Sequence, residues 1–102
     1  MLWLRGWRIC ARNWNGGGGE LDIAASRWRT LLIVEVRRRA TAAAAVASVH
    51  RDKLDRTLAA ARALVRLHQL ERYRLRFDVI GFPADGRAIW RRDVLQVGQP
   101  GE

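Results

Sequence analysis

Asp22, Glu35 and Arg37 are the side chains of this sequence whose types and spacing could do chemistry. Glu35 follows Asp22 by thirteen positions, and Arg37 stands two residues beyond Glu35. Glu35 lies inside the apolar run Leu31-Leu32-Ile33-Val34-Glu35-Val36, which then enters Arg37-Arg38-Arg39. A carboxylate buried without a partner is costly, so Glu35 needs either an arginine or a metal ion. Two carboxylates on neighbouring strands supply hard oxygen ligands for Mg²⁺, which keeps waters in its other positions. Such an ion lowers the pKa of a bound water and offsets charge on a pentavalent phosphate. A cation beside the second carboxylate then helps to orient the nucleophile. The skeleton D…E-x-K/R is loose when taken alone and recurs by chance.

These residues must be held by neighbouring strands. Trp7 to Trp14 alternates loosely and predicts a first strand, broken by Asn15 and the glycines Gly16 to Gly19. That glycine run reads as a hairpin loop, since it neither opens a helix nor ends in Gly-Lys-Ser/Thr as a phosphate loop would. Glu20 to Ala25 alternates acid and apolar residues and predicts a second strand, joined by the polar tip Ser26–Arg29 to a third over Thr30 to Val36. A short connection makes this pair antiparallel. By parity Glu20 and Asp22 share one face, as do Glu35 and Arg37. A register that sets Asp22 opposite Glu35 brings two like charges together, which is destabilising unless a cation lies between them.

The alanine-rich stretch from Ala40 to Ala47 has no usable period and fits a loop or the first turns of a helix. From Ser48 to about Gln69, Leu54, Leu58, Ala61 and Val65 recur at helical spacing, flanked by Leu64 and Leu67 and opposed by Arg51, Asp55, Arg62 and Arg66. Arg74 to Phe82 and Ala88 to Arg92 predict two more strands around the turn "FPADGR". The expected class is an α/β chain of α+β type, with the order β-β-β-α-β-β and a long helix packed on a mixed sheet. One domain over 1–95 and a frayed tail over 96–102 account for the chain.

Composition narrows the partner. The 102 residues carry 19 Lys plus Arg against 10 Asp plus Glu, a net charge of +9. Such a balance favours an anionic partner, nucleic acid first. All but one of the basic residues are arginine, so coding bias is a second source of the charge. The single cysteine, Cys10, excludes an internal disulfide framework and suits a reducing cytoplasm. In its strand it reads as a small buried hydrophobe. No stretch reaches the ~18 apolar residues of a membrane span, and Arg5 and Arg8 interrupt the opening run with no small-residue cleavage site after it, which argues against a signal peptide.

Longer motifs add to the skeleton. "GWRICARNW", "GELDIAA", "IVEVRRR", "HRDKLDRTLAAARALV" and "RFDVIGF" occur in order between about Leu4 and Leu95. Together they resemble the YraN-like family of bacterial proteins, which is similar to the PD-(D/E)XK, restriction-endonuclease-like superfamily and to archaeal Holliday-junction resolvases. The resemblance implies a three-layer αβα nuclease fold, with Asp22 and Glu35 as Mg²⁺ or Mn²⁺ ligands and the Val36 carbonyl as a third. It also implies DNA, branched or damaged DNA included, as substrate, with Arg37, Arg39, Arg51 and Lys53 as residues that meet it. The alternative is a nucleic-acid-binding or interaction module that keeps the fold and has lost the chemistry; a homodimer is compatible with either.

Two departures from the family's pattern stand out. Arg37 replaces the motif lysine, and arginine stays charged and cannot serve as a base. Members also begin with a helix bearing another glutamate, whereas this sequence enters its first strand almost at once. The expectation is a late-starting reading frame or a truncated, inactive member.

Lys53, the chain's one lysine, coincides with a lysine of the family pattern. It reads either as a solvated helix residue or as a catalytic lysine moved onto the helix, as occurs in some nucleases of that superfamily. His50, one turn earlier, reads as an exposed polar residue before a general base, and His68 as a helix-terminus residue. Glu20 is an outer acid of the site or a strand-edge partner of Arg12 or Arg37. Asp78 reads as a partner of Arg76 or Arg74. Trp3, Trp7 and Trp14 stack on bases or pack where the family's first helix lies.

Overall fold

The computed structural model describes residues 6–84 and 86–94. Five strands form one sheet in chain order: β1 (Arg8–Gly16), β2 (Gly19–Arg27), β3 (Thr30–Arg38), β4 (Arg74–Phe82) and β5 (Ile89–Arg91). Neighbours pair antiparallel except β3 and β4, which run parallel. A parallel pair needs a crossover, and α1 (Ala42–Ala47) and α2 (Arg51–His68) provide it. The molecule is thus a mixed α+β fold with helices packed on a mixed sheet. The extra helix α1 settles the alanine stretch: the Thr41 hydroxyl caps it by accepting from the Ala44 N–H at 3.0 Å. Trp3, Leu4, Leu95 and the tail 96–102 lie outside the described residues.

The two hairpins follow from their turn chemistry. Gly17 and Gly18 both take positive φ, as a two-residue connection of the type I′ kind requires. Only two of the four glycines form that turn; Gly16 and Gly19 belong to the strands. Gly19 is needed for a different reason, since a Cβ there would collide with the Arg56 carbonyl of α2. The close approach of hairpin and helix rests on that missing side chain.

The core lies between the sheet and α2. Leu21, Ala24, Leu31, Ile33 and Phe77 meet Ala60, Ala61 and Leu64, all buried. Gly81 continues the Phe77 face of β4 and packs against Ala42 and Ala45 of α1, so both helices cover the same side. The described residues therefore build two layers rather than the three the resemblance implies. The opposite face carries Ala25, Leu32, Val34 and Asp78, also buried, beside half-buried Trp7 and Trp90.

Three expectations need correction. Cys10 is exposed, because β1 bulges there: Ile9 pairs with Ala25 and Ala11 with Ala24, leaving Cys10 without a partner residue. Trp14 packs half-buried against the core that α2 covers, where the expectation was base stacking or the place of the family's first helix. The buried stripe of α2 is Thr57, Ala60, Ala61 and Leu64, rotated from the expected Leu54-Leu58-Ala61-Val65 line, and Leu67 is 65% exposed. Small side chains win those positions because they let the helix lie close to the sheet.

Candidate functional site

The rotation of α2 is what builds the site. Lys53 sits one turn before the buried Thr57, whose hydroxyl donates to the Lys53 carbonyl at 2.9 Å. Lys53 therefore continues the sheet-facing stripe (53, 57, 60, 61, 64) instead of pointing to solvent. Its side chain is only 16% exposed, and its Nζ lies 3.6 Å from Glu35 Oε2 and 3.7 Å from Glu20 Oε2. An outward-facing helix lysine would make neither contact. Of the expectations left open, the structure places Lys53 at the carboxylates.

Glu35 occupies the centre of the sheet at 1% exposure. The β2–β3 ladder runs to Ile23 opposite Val34, and one step further sets Asp22 across from Glu35. At that step a side chain replaces the main-chain rung: the Val36 N–H donates to Asp22 Oδ2 at 2.8 Å. Strict alternation also fails here, since Leu21 and Ala24, three residues apart, both enter the core under α2. The simple parity assigned to β2 breaks at Asp22 for that reason.

Electrostatically the charge on Glu35 is only partly relieved. Burial, and then the nearby Asp22 carboxylate, push the Glu35 pKa up from its ordinary 4.5, while Lys53 and Arg37 pull it part of the way back. Arg37 Nε lies 3.8 Å from Glu35 Oε2, too far for a hydrogen bond. Both Arg37 Nε and Glu35 Oε1 are buried without a hydrogen-bond partner. A buried carboxylate oxygen without a hydrogen-bond partner beside a second carboxylate has the donor chemistry of a hard-cation ligand pair. In donor chemistry Asp22 and Glu35 thus fit Mg²⁺ or Mn²⁺, with waters completing the shell. Among the described residues no three His, Cys, Asp or Glu side chains form a metal-holding group.

The other candidates fall outside this centre or at its rim. Glu20 is exposed and joins through Lys53. Next to it, the β1–β2 hairpin and α2 border an open groove of about 480 Å³ lined by Asn15, Gly16, Gly18, Gly19, Glu20 and Arg56. Arg39 is exposed at the end of β3, and Arg51 is exposed on α2 and paired with Asp55 at 3.1 Å. His50 is the exposed N-cap residue of α2 and makes no side-chain cap; His68 is exposed in its last turn. Asp78 is structural. Fully buried, it accepts from Arg76 Nε and Nη2 at 3.0 and 2.9 Å, Trp90 Nε1 at 2.7 Å and the Asp93 N–H at 2.9 Å, which ties β5 to β4.

One residue escaped sequence reasoning. Trp28, counted there as part of a polar tip, is 87% exposed in the β2–β3 turn and has φ +56°. The signal was present: "RWR" places a large apolar ring where a two-residue hairpin favours glycine or asparagine.

Comparison with known proteins gives a consistent result. The model of the uncharacterised protein family UPF0102 matches residues 1–82. A UPF0102 protein of Methylorubrum populi is 42% identical over 96 residues, covering 94% of this chain and 66% of that relative. One from Methylorubrum extorquens is 41% identical over 70 residues, covering 69% of this chain and 55% of the relative. The UPF0102 protein YraN of Escherichia coli K12 is 37% identical over 99 residues, covering 91% and 75% respectively. The chain spans somewhat more than half the length of the two Methylorubrum relatives.

Proposed function

This chain belongs to the uncharacterised protein family UPF0102, and we propose that it is a DNA-binding domain whose Asp22–Glu35–Lys53 centre hydrolyses phosphodiester bonds with a divalent cation. The observation that carries this is Lys53, brought from α2 to 3.6 Å from a buried Glu35. A lysine there takes the place of the one that Arg37 replaces, so the D…E…K set of restriction-endonuclease-like proteins is restored in space though not in line. That likeness, the orphaned Glu35 Oε1 and the net charge of +9 all support the reading.

Asp22 and Glu35 would hold Mg²⁺ or Mn²⁺, with the Val36 carbonyl as the third donor that the resemblance implies. When bound, the ion supplies acidified water and screens phosphate charge. The chain's own residues do the rest. The Lys53 ammonium donates hydrogen bonds to the attacking water or to a non-bridging phosphate oxygen, in a setting dry enough for a donor to count. Arg37, permanently charged, holds the phosphate and balances Glu35. Arg39 and Arg51 sit further out, where phosphate contacts add affinity without reading sequence.

A second reading is favoured by Arg37 itself, which stays charged and cannot serve as a base. It is a nucleic-acid-binding module without catalysis, in the cytoplasm as in the first reading. Incubation with Mg²⁺ or Mn²⁺ and linear, nicked or four-way DNA separates the two. The nuclease reading expects cleavage that disappears in Asp22→Asn and Glu35→Gln. The binding-module reading expects salt-sensitive binding that survives Asp22→Ala, with no cleavage by any form.

A further inference from the structure

Trp28 occupies the first central position of the two-residue turn between Arg27 and Thr30, which pair across the hairpin. It alone of the two central residues has positive φ, a place where glycine is usual. Its ring is 87% exposed, the most exposed large apolar side chain among the described residues. Folding therefore gains neither packing nor backbone ease from a tryptophan here. The surroundings are predominantly basic. Arg27 and Arg29 flank the ring in sequence, and the Arg74 N–H donates to the Arg29 carbonyl at 2.6 Å, which brings the start of β4 to the tip. Arg29, Arg72 and Arg74 are exposed, Arg27 lies over the Trp7 ring, and Glu71 is the one acid in these two stretches.

We propose that the Trp28 tip is a second nucleic-acid contact, in which the indole stacks on an unpaired or splayed base while Arg29, Arg72 and Arg74 hold the flanking phosphates. An exposed aromatic ring among arginines matches both parts of a single-strand site, a π-face for the base and cations for the backbone. An anionic membrane surface would also accept a ring among arginines; a nucleic-acid strand is the occupant that the proposed Asp22–Glu35–Lys53 centre shares, and vesicles form the contrasting arm of the test. From Thr30 to Glu35 the chain advances five residues of β3, so the tip lies on the order of 17–20 Å from the candidate centre. That span is about five to six nucleotides of a stacked strand. One DNA molecule with a paired segment and an unpaired one can therefore reach both. The proposal rests on the reading above only for its choice of nucleic acid as partner; hydrolysis at Asp22 and Glu35 does not enter it.

The test is fluorescence anisotropy of the full chain with end-labelled oligonucleotides: a single strand, a duplex with a central bubble, and the fully paired duplex. The wild type is expected to bind the first two more tightly than the third. Trp28→Gly should lose about tenfold on the single strand and bubble and little on the duplex, and Trp28→Phe should keep most of the affinity. Arg29→Ala and Arg74→Ala should weaken binding to all three alike and each lower the salt slope by about one. Equal binding of all three DNAs by wild type and Trp28→Gly would overturn the proposal while leaving the nuclease reading untouched. No DNA binding by the wild type would overturn both. A loss confined to binding of phosphatidylglycerol vesicles, with DNA affinity unchanged, would assign the tip to a membrane surface instead. A melting curve of each variant shows that it is folded.

Discussion

Glu35 is the residue on which the site turns, and its protonation has a definite sign. Burial and Asp22 raise its folded pKa above 4.5. Between 4.5 and the raised value the native state therefore binds more protons than the unfolded chain. Glu35 contributes most favourably at and below its unfolded value, and that contribution is lost as pH rises through the folded one. In metal-free buffer Glu35→Gln should melt above the wild type at neutral pH, with the gap closing as pH falls towards 4.5. A gap independent of pH in thermal melts would contradict this account of Glu35. Trp28 makes the other residue-scale case. A bulky residue in the left-handed region costs about 1–2 kcal/mol, and glycine relieves it. Trp28→Gly should therefore gain about 1 kcal/mol, roughly 5 °C in a domain of this size, even as it loses single-strand affinity. Unchanged or lowered stability would remove the argument that this tryptophan is kept at a cost.

At the scale of elements, the decisive contact is α2 against the β1–β2 hairpin. Gly19 has no room for a Cβ before the Arg56 carbonyl, so Gly19→Ala forces helix and hairpin apart. The expected loss is about 2–3 kcal/mol by chemical denaturation, with Lys53 displaced from Glu35. A neutral outcome would mean that the close approach does not position the site. Much of this layer was legible in the sequence. Period-two alternation marks the strands and the glycine run marks the first hairpin, β4 runs over the expected Arg74–Phe82, and the register that brings Asp22 across from Glu35 is one the sequence allowed without requiring. The phase of α2 was not legible, because two stripes compete. Leu54, Leu58 and Val65 form the more hydrophobic line, but Thr57, Ala60 and Ala61 are small enough to pack closely beside Leu64, and only the sheet decides between them. The bulge at Cys10 and the break in alternation at Asp22 leave no mark in a pattern of residue types, since both arise from how strands pair. The arginine at 37 reads as lost chemistry and Lys53 as a candidate to replace it, but the sequence leaves Lys53 equally readable as a solvated residue, and the phase of α2 is what turns it towards Glu35.

For the whole molecule, a net charge of +9 on 102 residues predicts binding to DNA that weakens steeply with salt. A plot of log affinity against log salt should be linear, with a slope of about 0.7–0.9 per phosphate contacted, and Arg39→Ala or Arg51→Ala should each reduce it by about one contact. A salt-independent affinity would place the partner elsewhere. No helix among the described residues is long and apolar enough to cross a membrane. In the proposed nuclease Lys53 takes over the role of the lysine that Arg37 replaces, and a lysine exchange between the two positions puts this to the test. Cleavage rates of four-way and nicked DNA in Mg²⁺ or Mn²⁺ are compared for the wild type, Lys53→Ala, and Lys53→Ala combined with Arg37→Lys. Loss of a positioned donor of this kind costs on the order of 100-fold or more. Lys53→Ala should show that drop, and restoring a lysine at 37 should recover much of the rate. Cleavage by Lys53→Ala at the wild-type rate would contradict this role for Lys53, as would a wild type that cuts none of these DNAs.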